Sequence, residues 1–343
     1  MKHKITRAST IHLPETKHAH KSSAATLRKS KNKSQRENET TTANLKRLST
    51  EQSNSASADL DQKSALEIVR IINREDAKVA PAVRQALPQI AKAIDLITAA
   101  LSQGGRLIYV GTGTSGRIAA LDAAECPPTF DVPPRMVQFI MAGGRAALGA
   151  AVEADEDSRE LGRKAMAAKR PGRKDVIVGI AASGRTPFTV AALQYARAQG
   201  ARTVAVVCNP NSKLGKSAHV EIVAAVGPEV LAGSTRMKAG TAQKMILNML
   251  TTGAMTRLGY VYGNLMVNLH TKNSKLLERG IGILETAAGL KRSLARKLLA
   301  SAGGRVPLAL VMAKTGLSRR LAAAALEETG GRVREAITVA KSR

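Results

Sequence analysis

Short apolar runs alternate with amphipathic segments along the middle of the chain, and this alternation constrains the fold most. The first run, residues 107–110, is continuously apolar and ends at Gly111. Such a run is typical of a strand buried on both faces, and stretches near 156–169 and 186–199 have the pattern of helices. The alternation predicts an α/β fold with a parallel sheet flanked by helices on both faces. The other strand candidates are residues 135–141, 175–181, 202–208 and 219–226.

The segments on either side of the sheet have different characters. Residues 1–44 are rich in Lys, Ser, Thr and Asn without apolar periodicity, which predicts a disordered basic tail. Two helices are expected before the first strand, and glycines and a proline divide the helical C-terminal region into short pieces. We therefore expect a tail over 1–44, an α/β domain with N-terminal helices over 45–290, and a small C-terminal helical domain over 291–343.

A turn of small residues follows the first strand. Residues 111–116 read Gly-Thr-Gly-Thr-Ser-Gly and open a helix, so backbone N–H groups and hydroxyls can surround an anion, most plausibly a phosphate. The same glycines match the dinucleotide pattern GxGxxG. That pattern also needs an acidic residue at the tip of the next strand, where this chain has Ala-Gly-Gly. A phosphorylated small molecule is therefore favoured over a nicotinamide or flavin.

Two more predicted strands run into polar turns. Residues 182–186 follow one strand and residues 233–238 follow another, and both turns supply hydroxyls, a glycine and a cation. Ligands of parallel sheets bind at the carboxyl ends of the strands. Three such turns at one edge of the sheet therefore predict a pocket for a sugar phosphate.

The formal net charge of +27 raises the question of nucleic acid as a partner. A positive field attracts a phosphorylated substrate as well as a polynucleotide. Aromatic residues make up 2% of the chain, and neither a zinc finger nor a basic recognition helix is present in the sequence. Specific nucleic-acid binding is therefore not expected.

The remaining composition bears on compartment and metals. Cys126 and Cys208 lie far apart without metal-ligand spacing, which is typical of a reducing cytosol. Four of the six histidines lie in the tail, so a histidine metal site is not expected. No apolar run approaches the roughly 20 residues of a membrane span, and the N-terminus lacks a signal core. We expect a cytoplasmic protein with no membrane partner.

Two carboxylates are candidates for acid–base chemistry. Glu125 precedes a Cys-Pro-Pro corner, where the helix is expected to end. Glu156 belongs to an acidic cluster over residues 153–157, whose members would otherwise complement the dipole of the helix that they begin. Two carboxylates in unlike environments can divide proton donation and proton removal between them.

Four segments closely resemble the N-acetylmuramic acid 6-phosphate etherases, which are sugar isomerase (SIS) domain proteins. These segments are GTGTSGRIAALDAAECPPTF, AVEADED, GIAASGRTPF and LAGSTRMKAGTAQKMILNML, and the resemblance extends from Leu45 to the C-terminus. It implies a SIS-type sheet and cleavage of the lactyl ether of N-acetylmuramic acid 6-phosphate to N-acetylglucosamine 6-phosphate and D-lactate. It also implies a homodimer, no metal or organic cofactor, and a role in amino-sugar catabolism and peptidoglycan recycling.

The same resemblance implies roles for individual residues. The catalytic glutamates fall on Glu125 and Glu156: Glu156 would remove the C2 proton of the open-chain sugar, and Glu125 would protonate the departing lactyl oxygen. The family usually has glycine at the positions of Asp131 and Ala154, so the loops beside both glutamates can differ in shape. Phosphate and sugar hydroxyls would be held by Thr114, Ser115, Ser183, Thr186 and Ser234, with charge from Lys238.

The position of Glu125 relative to the turn after the first strand poses a geometric problem. A straight helix from Ser115 to Glu125 would place that carboxylate about 15 Å from the turn at residues 111–116, which we call the phosphate turn. That distance is too long for one sugar ring. Either the chain turns back near the prolines, or Glu125 serves the site of a neighbouring subunit.

Two other functions compete with the etherase. One is a non-catalytic sugar-phosphate sensor like the glucokinase regulatory protein, which resembles the etherases and needs the phosphate turns but not both glutamates. The other is a sugar-phosphate isomerase, which the ECPPTF run disfavours.

Overall fold

The structure is a computed structural model that describes residues 48–343, apart from Ala151, Glu153, His270, Lys272 and Arg343. The disordered tail expected over residues 1–44 lies outside the described residues.

Five parallel strands form the central sheet in the order β2-β1-β3-β4-β5. Leu107 of β1 pairs with Val137 on one side and Val176 on the other, so β1 lies inside the sheet. The strand order changes direction between β1 and β3, which opens a crevice at their carboxyl ends. The predicted parallel sheet is confirmed. Its strands are β1 Leu107–Gly111, β2 Val137–Met141, β3 Val176–Ile180, β4 Arg202–Val207 and β5 Val220–Val223.

Helices cover both faces of the sheet. Alternate strand residues such as Tyr109 and Val178 pack on one face against helices α3, α4 and α8, while Ile108 and Ile177 pack on the other against α5 and α6. Both faces are apolar because every strand residue of β1 and β3 is buried. The helices are α1 Ala65–Asp76, α2 Val79–Gln85, α3 Leu87–Ser102, α4 Gly113–Phe130, α5 Arg159–Ala168, α6 Pro187–Ala198, α7 Lys213–Lys216 and α8 Lys238–Arg257.

Helix α4 differs from its prediction at both ends. It begins at Gly113, inside the predicted turn, and it continues through Pro127 and Pro128 to Phe130. Proline lacks an N–H but has a helical φ, and here both prolines lie in the last turn and a half. Asp131 ends the helix in the left-handed conformation with a φ of 54°, and its N–H donates to the carbonyl of Pro127 at 2.9 Å. Glycine is usual at this helix end, and aspartate tolerates it better than most residues.

The C-terminal helices pack around a second apolar core. Short helical pieces, as expected for the C-terminal region, are α10 to α13, and together with α9 they bury a cluster that is separate from the two layers on the sheet. Ile281 and Leu284 of α9 belong to this cluster although they precede the expected boundary between residues 290 and 291, which stays a prediction. The helices are α9 Ser274–Ala288, α10 Arg292–Ser301, α11 Val306–Thr315, α12 Arg319–Glu328 and α13 Val333–Lys341.

Among residues 48–343, no described helix combines the length and the apolar character that a membrane span requires.

A buried ion pair joins α1 to the beginning of α8. Lys238 Nζ lies 2.7 Å from Glu75 Oε2, and the two side chains are 1% and 4% exposed. Lys78 and Asn54 donate to the same carboxylate. Burial alone would raise the pKa of Glu75, but the hydrogen bonds from Lys238, Lys78 and Asn54 outweigh it and lower the pKa from 4.5 to about 2. The pair therefore depends on the charged form of Glu75.

Replacing Glu75 with Gln is expected to destabilise the fold by about 3–5 kcal/mol, because the Lys238 ammonium would remain buried without its counter-charge. The free energy of unfolding from denaturant titrations at neutral pH measures this loss. Glu160→Gln is the matched control, since Glu160 pairs with Arg163 at an exposed site and should change stability little. Equal small effects of the two substitutions would contradict the importance of the buried pair.

The same pair predicts how stability depends on pH. Glu75 has a pKa of about 2 in the fold, below its ordinary value of 4.5, so the unfolded chain takes up the proton more readily. The stability contributed by this carboxylate is therefore complete above about pH 4.5 and is lost as the pH falls towards 2. Unfolding titrations of wild type and Glu75→Gln should converge over that interval, and a constant difference would contradict the assignment.

Candidate active site

The first turn of α4 lies at the carboxyl end of β1, and its Gly113 and Thr114 are half-buried. Thr112 precedes the helix in an extended conformation, and its side chain makes no capping hydrogen bond with a described residue. Gly113 has a φ of 49°, a left-handed conformation that favours glycine. The free N–H groups at a helix N-terminus attract anions. This turn is therefore suited to an anion, and its binding of a phosphate stays a prediction.

Glu156 lies directly against this turn. A Cβ atom placed on Gly113 would be 3.2 Å from Glu156 Oε1. The segment of Glu156 is also tied to the first turn of α6, because the N–H of Phe188 donates to the Glu156 carbonyl at 3.1 Å. The structure thus brings one of the two candidate glutamates to the place where the phosphate turn begins.

Replacing Gly113 with Ala is expected to lower kcat by about tenfold or more, because the new methyl group would displace the Glu156 carboxylate. Gly289→Ala is the matched control, since Gly289 has a φ of 68° with no atom within 4 Å of an added Cβ. Steady-state kinetics and thermal unfolding of both variants separate the effect on the site from the cost of backbone strain. Equal activity losses in the two variants would contradict the role of the contact.

Thr114 and Ser115 face helix α8. A Cβ on Gly240 would lie 3.4 Å from Thr114 Cγ2 and 3.6 Å from the carbonyl oxygen of Thr235. The Ser115 hydroxyl donates to Gln243 Oε1 at 2.9 Å in a buried contact. These contacts bring the first turn of α4 against the beginning of α8, which the Gly233–Lys238 segment precedes.

Gln243 is a site residue that the sequence reasoning missed. Its side chain is 1% exposed, and its Nε2 atom has no hydrogen-bond partner among the described residues. The available signal was a polar residue on the apolar face of a helix, three and four positions before the buried Ile246 and Leu247.

The second turn connects β3 to α6. Gly184 has a φ of 66°, and the N–H of Arg185 donates to the Ser183 hydroxyl at 3.2 Å. Thr186 immediately precedes α6 and makes no side-chain capping bond with a described residue. Because β3 pairs with β1, Ser183 and Thr186 follow the strand next to the one that leads into the phosphate turn, and their role in ligand binding stays a prediction.

The third polar turn, residues 233–238, differs from its prediction in the position of Lys238. Ser234 is half-buried in the segment before α8, whereas Lys238 is 1% exposed and paired with Glu75. Glu229 accepts the backbone N–H groups of Lys238 and Ala239 and so fixes the beginning of α8. The geometry therefore supports a structural role for Lys238 and leaves Ser234 as the candidate for ligand contact.

An N-terminal segment reaches the same edge of the sheet. The N–H and hydroxyl of Ser49 both donate to Asn209 Oδ1, at 3.0 and 2.8 Å, just beyond the end of β4. Glu51 follows, and a Cβ on Gly233 would lie 3.7 Å from its Oε2. The sequence reasoning did not single out Glu51, because its neighbour in space lies far along the chain.

Glu125 lies at the far end of α4. It is exposed, and twelve residues of helix separate it from Gly113, a rise of about 18 Å. The helix does not turn back at the prolines, so the structure does not bring Glu125 to Glu156 within one subunit. A cavity of about 680 Å³ lies beside Glu125, and helix α9 forms one of its walls.

A buried polar cluster anchors α4 one turn before Glu125. Asp122 accepts hydrogen bonds from the Tyr109 hydroxyl at 2.8 Å and from Asn248 Nδ2 at 2.9 Å. Burial raises the pKa of Asp122 despite these bonds. The cluster joins α4 to β1 and α8 and thereby fixes the part of α4 that carries Glu125. The sequence reasoning missed it, since an acid within a helix is usually exposed.

Within the part of the chain that the structure describes, no group of three or more His, Cys, Asp or Glu side chains is placed to hold a metal ion.

Comparison with protein families finds two related domain models. The glucokinase regulatory protein N-terminal SIS domain matches residues 89–197, and the SIS domain matches residues 163–253. Together the two matches span residues 89–253, which contain all five strands of the sheet and the three polar turns.

Comparison with curated proteins finds relatives named N-acetylmuramic acid 6-phosphate etherase. The protein of Symbiobacterium thermophilum is 56% identical over 268 residues, which cover 78% of this chain and 89% of that protein. The Clostridium beijerinckii protein is 51% identical over 269 residues, with 78% and 88% covered. The Aeromonas hydrophila protein is 50% identical over 271 residues, with 79% and 91% covered. The chain belongs to the N-acetylmuramic acid 6-phosphate etherase family.

Proposed function

We propose that this protein is a carbon–oxygen lyase that cleaves the D-lactyl ether of N-acetylmuramic acid 6-phosphate, giving N-acetylglucosamine 6-phosphate and D-lactate. The observation that carries the proposal is the Glu156 carboxylate beside Gly113, at a helix N-terminus suited to a phosphate. Identities of 50–56% to proteins named for this activity support it. The reaction belongs to amino-sugar catabolism and cell-wall recycling, and we propose a cytoplasmic location for it.

The three polar turns would hold the substrate. The N–H groups at the start of α4 bind the phosphate, with the hydroxyls of Thr114 and Ser115 beside them. Ser183, Thr186 and Ser234 complete the contacts to phosphate and sugar hydroxyls. Lys238 supports this arrangement through its buried bond to Glu75, which fixes the beginning of α8.

The chemistry divides between the two glutamates. In the open-chain sugar the aldehyde acidifies the proton on C2, and the Glu156 carboxylate removes it. The electron pair forms a C2–C3 double bond and expels the oxygen on C3, which takes a proton from Glu125 and leaves as D-lactate. Water then adds its oxygen to C3 and a proton returns to C2, which yields N-acetylglucosamine 6-phosphate.

Two subunits would complete each site. Glu125 and Gly113 lie at opposite ends of a continuous helix, so Glu125 cannot serve the phosphate turn of its own subunit. We propose a homodimer in which the Glu125 of one copy faces the Glu156 of the other. The exposure of Glu125 supports this arrangement, because a partner can reach the carboxylate.

The test of this function is D-lactate release from N-acetylmuramic acid 6-phosphate by the purified protein without added metal. Wild type should release lactate, and a Glu125→Ala, Glu156→Ala double variant should not. If wild type binds the sugar phosphate without releasing lactate, the activity is absent and the protein is a sensor of the glucokinase regulatory type.

A further inference from the structure

The buried amide of Gln243 contacts the first turn of α4. The Ser115 hydroxyl donates to Gln243 Oε1 at 2.9 Å, and the two side chains are 9% and 1% exposed. The Nε2 atom of the same amide has no hydrogen-bond partner among the described residues. A buried donor without a partner costs free energy, so this orientation of the amide is not the most favourable use of its groups.

This orientation also occupies the proton of Ser115. A serine hydroxyl has one proton and two lone pairs. While Ser115 donates to Gln243 Oε1, it offers only lone pairs to a ligand. The oxygen atoms of a phosphate are themselves acceptors and cannot use lone pairs. Ser115 can therefore donate to a phosphate only when its proton is released from Gln243.

The second orientation of the amide releases that proton. The amide oxygen and nitrogen have nearly the same shape, so a half-turn of the terminal group exchanges their positions. Nε2 then donates to the Ser115 oxygen, and the hydroxyl proton can point to the phosphate. A hydrogen bond to an anion is stronger than one between neutral groups, so bound phosphate favours this orientation. Nε2 also gains the partner that it lacks in the structure.

We propose that Gln243 is a positioning residue whose amide directs the Ser115 proton to the phosphate of the substrate. The inference rests on the proposed function and on the assignment of the phosphate to the beginning of α4. Helix α4 fixes the direction of its backbone N–H groups, whereas a hydroxyl proton rotates and takes the direction that its neighbour allows. Gln243 is suited to this role because it lies on the buried face of α8 and cannot turn to solvent.

Two substitutions of similar size separate this role from a direct ligand contact. Ionised Gln243→Glu offers only acceptors and retains the Ser115 proton, whereas Gln243→Met offers no donor and leaves that proton free. Calorimetry on the full-length proteins measures affinity for N-acetylglucosamine 6-phosphate over about pH 6–9, because burial raises the pKa of the new carboxyl. The deficit of Gln243→Glu relative to wild type should grow with pH to about 10- to 100-fold, and Gln243→Met should stay within about threefold of wild type.

The Ser115→Ala background tests whether Gln243 acts through Ser115. Gln243→Glu should lose most of its effect in that background, because no hydroxyl proton remains to be misdirected. An undiminished effect would reduce the result to repulsion between the new carboxylate and the phosphate and would overturn the proposal. Equal weakening by Gln243→Glu and Gln243→Met would instead indicate a direct contact or a packing role, and unchanged affinity in both would remove Gln243 from the site.

The control for charge is Gln85→Glu, which makes the same substitution at an exposed position of α2 and should leave the affinity unchanged. Thermal unfolding verifies that the variants are folded. The binding assay does not require turnover, so a wild type that binds the sugar phosphate without releasing lactate would disprove the lyase while the Gln243 variants still decide this inference. A wild type without affinity for the sugar phosphate would overturn both.

Discussion

Replacing Glu156 with Gln is expected to lower the rate of D-lactate release by about 10²–10⁴-fold, the range that a positioned general base contributes. The amide keeps the size of the side chain beside Gly113 but cannot remove the C2 proton. Affinity for N-acetylglucosamine 6-phosphate should change little, because the phosphate is held by the N–H groups and hydroxyls of the turns. Steady-state kinetics and calorimetry on the same preparation measure the two quantities.

The control for Glu156 is a nearby acid outside the site. Glu160→Gln removes a carboxylate from the first turn of α5, where it pairs with Arg163 at an exposed position. That variant should keep wild-type turnover. If Glu156→Gln also kept it, Glu156 would not be the base, and the contact with Gly113 would have another explanation.

Replacing Glu125 with Gln is expected to reduce lactate release by a similar factor while leaving the first chemical step intact. Glu156 still removes the C2 proton, but the lactyl oxygen lacks its proton donor and the carbanion returns to substrate. In D₂O the variant should therefore incorporate deuterium at C2 of N-acetylmuramic acid 6-phosphate without releasing lactate. NMR of the recovered sugar detects this exchange.

Glu156→Gln provides the comparison for this experiment, because it should lose both the exchange and the release. Loss of exchange in Glu125→Gln would mean that the two glutamates do not divide the steps as assigned. Lactate release at the wild-type rate in Glu125→Gln would exclude Glu125 as the proton donor.

Much of the fold can be predicted from the continuous apolar runs and the polar turns of the sequence. Residues 107–110 read as a buried strand because both faces of β1 are covered, and the turns after β1 and β3 lie side by side because those strands pair. The end of α4 could not be predicted in the same way. Pro127 and Pro128 usually mark a helix boundary, but in a last turn their missing N–H groups disrupt little.

The residues missed at the site depend on contacts between distant parts of the chain. Gln243 meets Ser115 across 128 positions, and Asn248 meets Asp122 across 126. The periodicity of a helix and the spacing of a motif cannot predict such pairs, because both describe residues that are close together in the sequence. Lys238 reads as a pocket cation in the sequence for the same reason, because its partner Glu75 lies 163 positions earlier.

Glu125 and Glu156 lie far apart within one chain, and mixed dimers show whether two subunits share each site. Glu125→Gln and Glu156→Gln subunits are each inactive when alone, and they are unfolded, mixed in equal amounts and refolded together. About half of the refolded dimers are mixed. If the site is shared, each mixed dimer has one intact Glu125–Glu156 pair in its two sites, so lactate release should recover to about a quarter of the wild-type rate. No recovery in verified mixed dimers would place both glutamates in one subunit and would exclude the shared site.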